Sequence, residues 1–177
     1  MAILSGSMGI VQAILGLDTI DEKWINQTDP RGYTPVHLAA FAGNEDMLAF
    51  LLTDKRITPT GKTTDKSETV FHTLARYCPI VDGAIIAQLV ERGVDLNATN
   101  SEGNAPLHIC CQEGFANMAQ LLIQYNANFK MQNSRGVSPL TLALNNRHKK
   151  IVEILMKSLP EEGEEGREPS RVIVDSG

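Results

Sequence analysis

The sequence predicts an all-α solenoid of about five helix–turn–helix repeats joined by long finger loops. Three observations predict it. A phrase, Gly32-Tyr33-Thr34-Pro35-Val36-His37-Leu38-Ala39-Ala40, returns as Gly103-Asn104-Ala105-Pro106-Leu107-His108-Ile109-Cys110-Cys111 and as Gly136-Val137-Ser138-Pro139-Leu140-Thr141-Leu142-Ala143-Leu144, with a worn copy at Ser67-Glu68-Thr69-Val70-Phe71-His72-Thr73-Leu74-Ala75. The step from Pro106 to Pro139 is 33 residues, and a fixed step of that length marks stacked supersecondary units rather than one closed core. After the phrase comes an apolar stripe at helical spacing: Met47, Leu48, Leu51 and Leu52, then Met118, Leu121, Leu122 and Ile123, then Ile151, Val152, Ile154, Leu155 and Met156.

Thr-Pro-Val-His opening a helix on a step near 33 resembles the ankyrin-repeat family. Phrase, step and stripe agree in register, and the resemblance covers residues 2–159. It implies a curved stack whose fingers and first helices form a concave face. In that family the face binds other proteins, through positions that vary between repeats.

The elements follow in chain order. Residues 2–15 resemble the family's run from a pair of small residues, through an inter-helix glycine, into a second helix, so repeat 1 (about 1–28) is truncated. An enlarged finger holding Trp24 leads to repeat 2 (29–63). There Thr34 is a natural N-cap, and Pro35 sits at the first helical position, where its missing N–H costs nothing. Gly43 ends the first helix. Repeat 3 (64–99) lacks the finger glycine at Ser67 and adds three residues between its helices, in Cys78-Pro79-Ile80-Val81-Asp82-Gly83-Ala84. Two further residues fall in the finger before it, around Thr58-Pro59-Thr60-Gly61. Repeat 4 (100–132) keeps the pattern. Repeat 5 (133–159) replaces the histidine with Thr141 and the turn glycine with Arg147, and Lys149 and Lys150 suit a helix with water on one side. No pair of helices buries its apolar faces alone, so stability comes from stacking. Residues 160–177 carry six acids and two bases, and the glycine-broken run Glu161-Glu162-Gly163-Glu164-Glu165-Gly166 reads as a disordered acidic tail. Arg171-Val172-Ile173-Val174 is a short β-prone stretch within it.

Composition sets bounds. The net charge is −5, of which the tail holds −4, so the repeats are nearly neutral. A nucleic-acid binder needs a basic face, and none is expected here. No run of about 18 apolar residues exists, so membrane insertion is not expected. The apolar start lacks any Lys or Arg before Lys23, unlike a secretory leader. Three cysteines, Cys78, Cys110 and Cys111, argue against a disulfide framework and for a reducing compartment, cytoplasmic or nuclear.

Nothing in the sequence reads as an enzyme. His37, His72 and His108 recur at one repeat position, and the resemblance implies that they tie one repeat to the next. Neither a metal-ligand spacing, nor a nucleophile elbow, nor a phosphate loop is present, so no cofactor is expected. Leu89, Asp95, Leu96 and Asn97 resemble the pattern that asparaginyl hydroxylases accept in ankyrin repeats, which marks Asn97 for hydroxylation; the alternative is an Asx-turn role.

Carried over one by one, the family's partner-binding positions fall on Arg31, Tyr33 and Phe41 in repeat 2. In repeat 3 they fall on Lys66, Glu68, Arg76 and Tyr77, and in repeat 4 on Glu102, Asn104, Gln112 and Glu113. Repeat 5 contributes Arg135, Val137, Asn145 and Asn146. Tyr33, Phe41, Tyr77, Arg31 and Arg76 form the expected hot spot, since Tyr and Arg dominate binding energy at interfaces. The function expected is a non-catalytic protein-binding module, an adaptor or regulatory scaffold. Two other readings stand beside it: a targeting segment excised from a larger enzyme or channel, favoured by the near-complete repeat at Met1, and an inhibitor that turns its acidic tail on a basic surface.

Overall fold

The computed structural model describes residues 7–17 and 19–159, and among them lie ten α-helices and no strand. Two short helices, α1 (Met8–Leu15) and α2 (Glu22–Ile25), open the chain. Four pairs follow: α3 (Pro35–Phe41) with α4 (Glu45–Thr53), α5 (Val70–Tyr77) with α6 (Gly83–Glu91), α7 (Pro106–Glu113) with α8 (Ala116–Gln124), and α9 (Pro139–Asn145) with α10 (Lys149–Lys157). First helices α3, α5, α7 and α9 stack in chain order as one layer; second helices α4, α6, α8 and α10 stack as the other. The expected repeat boundaries enclose these pairs. For repeat 1, α1 takes the second-helix position, while residues 2–5 and the acidic tail from 160 onward lie outside the described residues.

Local chemistry starts each helix. Pro35, Pro106 and Pro139 occupy first helical positions. The Asn44 carboxamide accepts from Met47 N at 2.9 Å, the Asp82 carboxylate from Ala84 N at 2.9 Å, and the Ser138 hydroxyl from Thr141 N at 3.2 Å. Each bond satisfies a donor that the first helical turn leaves without a partner. Arg147 takes the left-handed conformation (φ 60°) that Gly43 and Gly114 hold at the same inter-helix turn.

The core runs unbroken along the stack. Val36, Met47, Leu48 and Leu51 pass it to Phe71, Leu74, Ile86 and Leu89, then to Leu107, Ile109, Met118 and Leu122, and finally to Ala143, Ile151 and Leu155. Each large side chain fully buried contributes about 1.5–3 kcal/mol relative to exposure. Small residues in the first-helix layer, such as Ala39, Ala40 and Ala75, let neighbouring helices come close.

Repeat 3 departs as expected between its helices. Asn44 follows Pro35 by nine residues, whereas Asp82 follows Val70 by twelve. The added segment buries Val81 and leaves Ile80 exposed, and α5 and α6 stand further apart than the helices of the other pairs. The reading of its finger needs a correction. The two extra residues do not both lie near Thr58–Gly61. In the other tips the Asp29, Asn100 and Asn133 amides bond the carbonyl four residues on, but Thr63 N reaches Glu68 O, five residues on. One extra residue therefore sits in the tip, and Ser67 adopts φ 55° where the other fingers use Gly32, Gly103 and Gly136.

Candidate functional site

The site begins with the fingers. In each tip one side-chain oxygen organises the turn: Asp29 Oδ1 accepts from Arg31 N and Tyr33 N, Asn100 Oδ1 from Glu102 N and Asn104 N, and Asn133 Oδ1 from Arg135 N and Val137 N, all at 2.9–3.0 Å. Adjacent fingers then join through single backbone bonds. Thr64 N donates to Arg31 O at 2.9 Å, Ser101 N to Lys66 O at 2.8 Å, and Ser134 N to Glu102 O at 3.1 Å. The approach is close enough that a Cβ on Gly103 would stand 2.5 Å from Ser134 N.

The histidines lock the first helices to this ladder. His72 Nε2 donates to Asn104 O at 2.9 Å and His108 Nε2 to Val137 O at 3.2 Å, each reaching the next repeat. A carbonyl only accepts, so Nε2 carries the proton and Nδ1 is free to accept from Thr69 N and Ala105 N. His37 stands in the same relation to the Glu68 carbonyl, but its Nε2 makes no hydrogen bond. Burial lowers the pKa of all three, that of His37 to about 4. His148, read in the sequence as a helix-start residue, also ties repeats together: its Nε2 meets Gln112 O at 3.1 Å and its ring lies against Gly114. Its place one residue before the second helix was the signal available, though no sibling histidine marked it.

Within this frame the predicted site residues separate into two groups. On the surface, Phe41 (38% exposed) and Tyr77 (41% exposed) meet edge to face with ring centroids 4.6 Å apart. Tyr33 braces Phe41 from beneath at 6.2 Å, and the Arg31 guanidinium lies over the Tyr33 ring at 4.9 Å. Beside Tyr77, Arg76 pairs with Glu68 at 3.0 Å and Glu113 at 3.7 Å. Lys66, Glu102, Gln112 and Arg135 are exposed, as are Asn145 and Asn146.

Tyr33, Glu68 and Asn104 are not surface positions, and the expectation that a partner reaches them is corrected. All three directly precede an N-cap, and that column turns inward between the fingers. Tyr33 packs on His37 at 5.9 Å, and its hydroxyl pKa is raised, first by burial and then by Tyr77, Asp65 and Glu68. Glu68 is held by Arg76. The Asn104 carboxamide accepts from Asn133 Nδ2 at 2.8 Å and donates to Glu102 Oε2 at 3.1 Å. Sequence reasoning treated each residue type singly; the shared column was the signal it passed over.

Other candidates take structural places. Asn97 Oδ1 accepts from Asn128 N at 2.7 Å, a link Asn26 repeats with Thr58 N, so any enzyme modifying Asn97 has to open a contact between repeats. Cys78, Cys110 and Cys111 are buried free thiols whose pKa burial raises, to about 11 for Cys78 and about 12 for Cys111. Among the described residues no group of three or more His, Cys, Asp or Glu side chains is placed to hold a metal ion. No helix among them is long and apolar enough to cross a membrane.

Comparison with known proteins agrees with this geometry. Residues 71–164 match a family model described as ankyrin repeats in three copies, and residues 31–61 match a second, described as the ankyrin repeat. Ankyrin repeat and SOCS box protein 16 of Homo sapiens is 31% identical over 63% of this chain and 25% of its own length. A probable serine/threonine-protein kinase of Dictyostelium discoideum is 30% identical over 69% of the chain and 14% of its own length, and ankyrin repeat domain-containing protein 53 of Homo sapiens is 34% identical over 49% and 16%. The chain thus spans a quarter or less of these relatives. Ten helices without a strand among the described residues, a phrase on a 33-residue step, and family models that together span most of the chain agree: this chain belongs to the ankyrin-repeat family, whose repeats serve as protein–protein interaction modules.

Proposed function

We propose that this chain is a non-catalytic adaptor or regulatory module, and that it binds a partner protein on the finger and first-helix face of repeats 2 to 4. The observation that carries this is the Phe41–Tyr77 pair: two adjacent aromatic side chains, each about two-fifths exposed, on helices whose other apolar residues are mostly buried. Aromatic anchors ringed by charge are the pattern of a binding hot spot. Arg31, Arg76 and Glu113 supply that ring, and Lys66, Glu102 and Arg135 at the finger tips orient a partner. The finger ladder supports the reading energetically, because a face already ordered loses little entropy on binding. Three unpaired thiols support work in a reducing compartment.

The burial of Tyr33 and the pairing of Arg76 with buried Glu68 decide the test. Replacing either residue disturbs the fold, so the informative variant is Phe41→Ser with Tyr77→Ala. We expect this double variant to keep its thermal midpoint within a few degrees while losing about 30-fold or more in affinity for a partner captured by the wild-type chain from cytosol, the equivalent of about 2 kcal/mol. Equal affinity of the two proteins for that partner, measured by calorimetry, sinks the placement.

A further inference from the structure

We propose that the far end of the stack is covered by the chain's own residues 172–174, so that Val172-Ile173-Val174 acts as a strap over α9 and α10. The argument starts from two columns of the repeat. Ala40, Ala75 and Cys111 occupy one first-helix position and are all buried, and Cys78 Sγ donates to Ala40 O at 3.2 Å from the repeat that follows. That column faces the next layer. Leu144 holds it in repeat 5 and is 55% exposed. The second column is Leu52, Val90, Ile123 and Met156; the first three are buried or packed against the core, while Met156 is 53% exposed. Leu159, the last described residue, is exposed beside them.

Size selects the occupant. Wherever another first helix stacks on this column, the residue is Ala or Cys; the longer Leu144 holds off a layer in the same register. Thr141 replaces the histidine that elsewhere donates to the next repeat, so the bonding handle is missing too. An extended apolar segment needs neither. Val172-Ile173-Val174 is the one run of three apolar residues in 160–177. Charge agrees: Arg147, Lys149, Lys150 and Lys157 against Glu153 give residues 147–159 a net +3, all four cations are exposed, and residues 160–177 carry −4. Lys150 and Lys157 line an open groove of about 410 Å³ between α8 and α10, beside Ser158 where the chain leaves the last helix. Twelve residues separate Leu159 from Val172, a reach of up to about 40 Å when extended against an interhelical spacing of about 10 Å. A tether that short holds the strap at millimolar effective concentration.

The test uses the full chain, with Val172→Asp, Ile173→Asp and Val174→Asp together. We expect the methyl resonances of Leu144 and Met156 to shift and the α10 amides to exchange about 5-fold faster, with α3 to α8 unchanged. A second variant, Leu144→Ser, changes an exposed side chain and is expected to give the same acceleration in α10. Unchanged α9 and α10 signals in the tail variant overturn the proposal. So does an acceleration that depends on protein concentration, which would give the face to a second copy.

Discussion

Each phrase histidine is kept neutral because its Nδ1 accepts a backbone N–H and its body is buried, so adding a proton breaks a bond inside the stack. The pH consequence follows in sign. Unfolded histidine titrates near 6.5, whereas His37 titrates near 4 in the folded chain. Between those values the unfolded chain binds more protons, so the stability is fully present above about pH 6.5 and is lost as pH falls toward 4. His37 alone contributes about 3 kcal/mol to that loss, with His72 and His108 acting in the same direction. Urea midpoints measured from pH 7 to pH 4.5 should fall steadily; a flat profile contradicts the burial of these rings. Backbone conformation makes a second prediction. Ser67 and Arg147 hold left-handed angles that favour glycine, so Ser67→Gly and Arg147→Gly should each raise stability by about 1 kcal/mol in the same assay. Gly103→Ala works the other way: its methyl meets the Ser134 amide of the next finger, and a loss of about 2 kcal/mol or more is expected.

Helix ends were legible in sequence because caps and prolines act over three or four residues. Thr34-Pro35 and Ser138-Pro139 start helices where that chemistry requires. Contacts that tie one element to an element of another repeat were not legible. Arg92, just past α6, donates to the carbonyls of Leu52, Asp54, Lys55 and Ile57, covering the end of α4 and the start of its finger. Arg56 does the same for Leu15 and Ile20 after α1 while pairing with Asp54 at 2.7 Å, and that hydrogen-bonded pair lowers the Asp54 pKa. Arg92→Ala removes charge-assisted bonds to several carbonyls at once. Urea unfolding should show a loss of about 2 kcal/mol, and Arg92→Lys should recover only part of it, because one ammonium cannot reach the whole set.

The molecule as a whole behaves as a line of coupled layers. Repeat 3 is the weak coupling inside one layer, since its inserted segment holds α5 and α6 apart, yet its α5 stacks on both α3 and α7. Phe71, fully buried at that centre, belongs to the stacking contact. Phe71→Ala should cost about 3–5 kcal/mol. It should also split unfolding into two transitions, because each half of a stack depends on its neighbour. Fluorescence of Trp24 in repeat 1 and far-ultraviolet dichroism of the whole chain should then give different midpoints. Coincident midpoints in the variant contradict this division.

The repeat period, the two-helix unit and the apolar stripes could be read from residue order, because each repeat is a local structure written several times and the copies check one another. The same order named Phe41, Tyr77, Arg31 and Arg76 as neighbours, since stacking in register brings equal positions together. Which of them face outward was decided only by the folded stack. Tyr33, Glu68 and Asn104 share a column that the finger ladder turns inward, and no residue type announces that direction. Leu144 and Met156 lie bare for a reason equally remote from their own chemistry: burial of a side chain depends on the layer that comes next, and a position in sequence does not contain its neighbour in space.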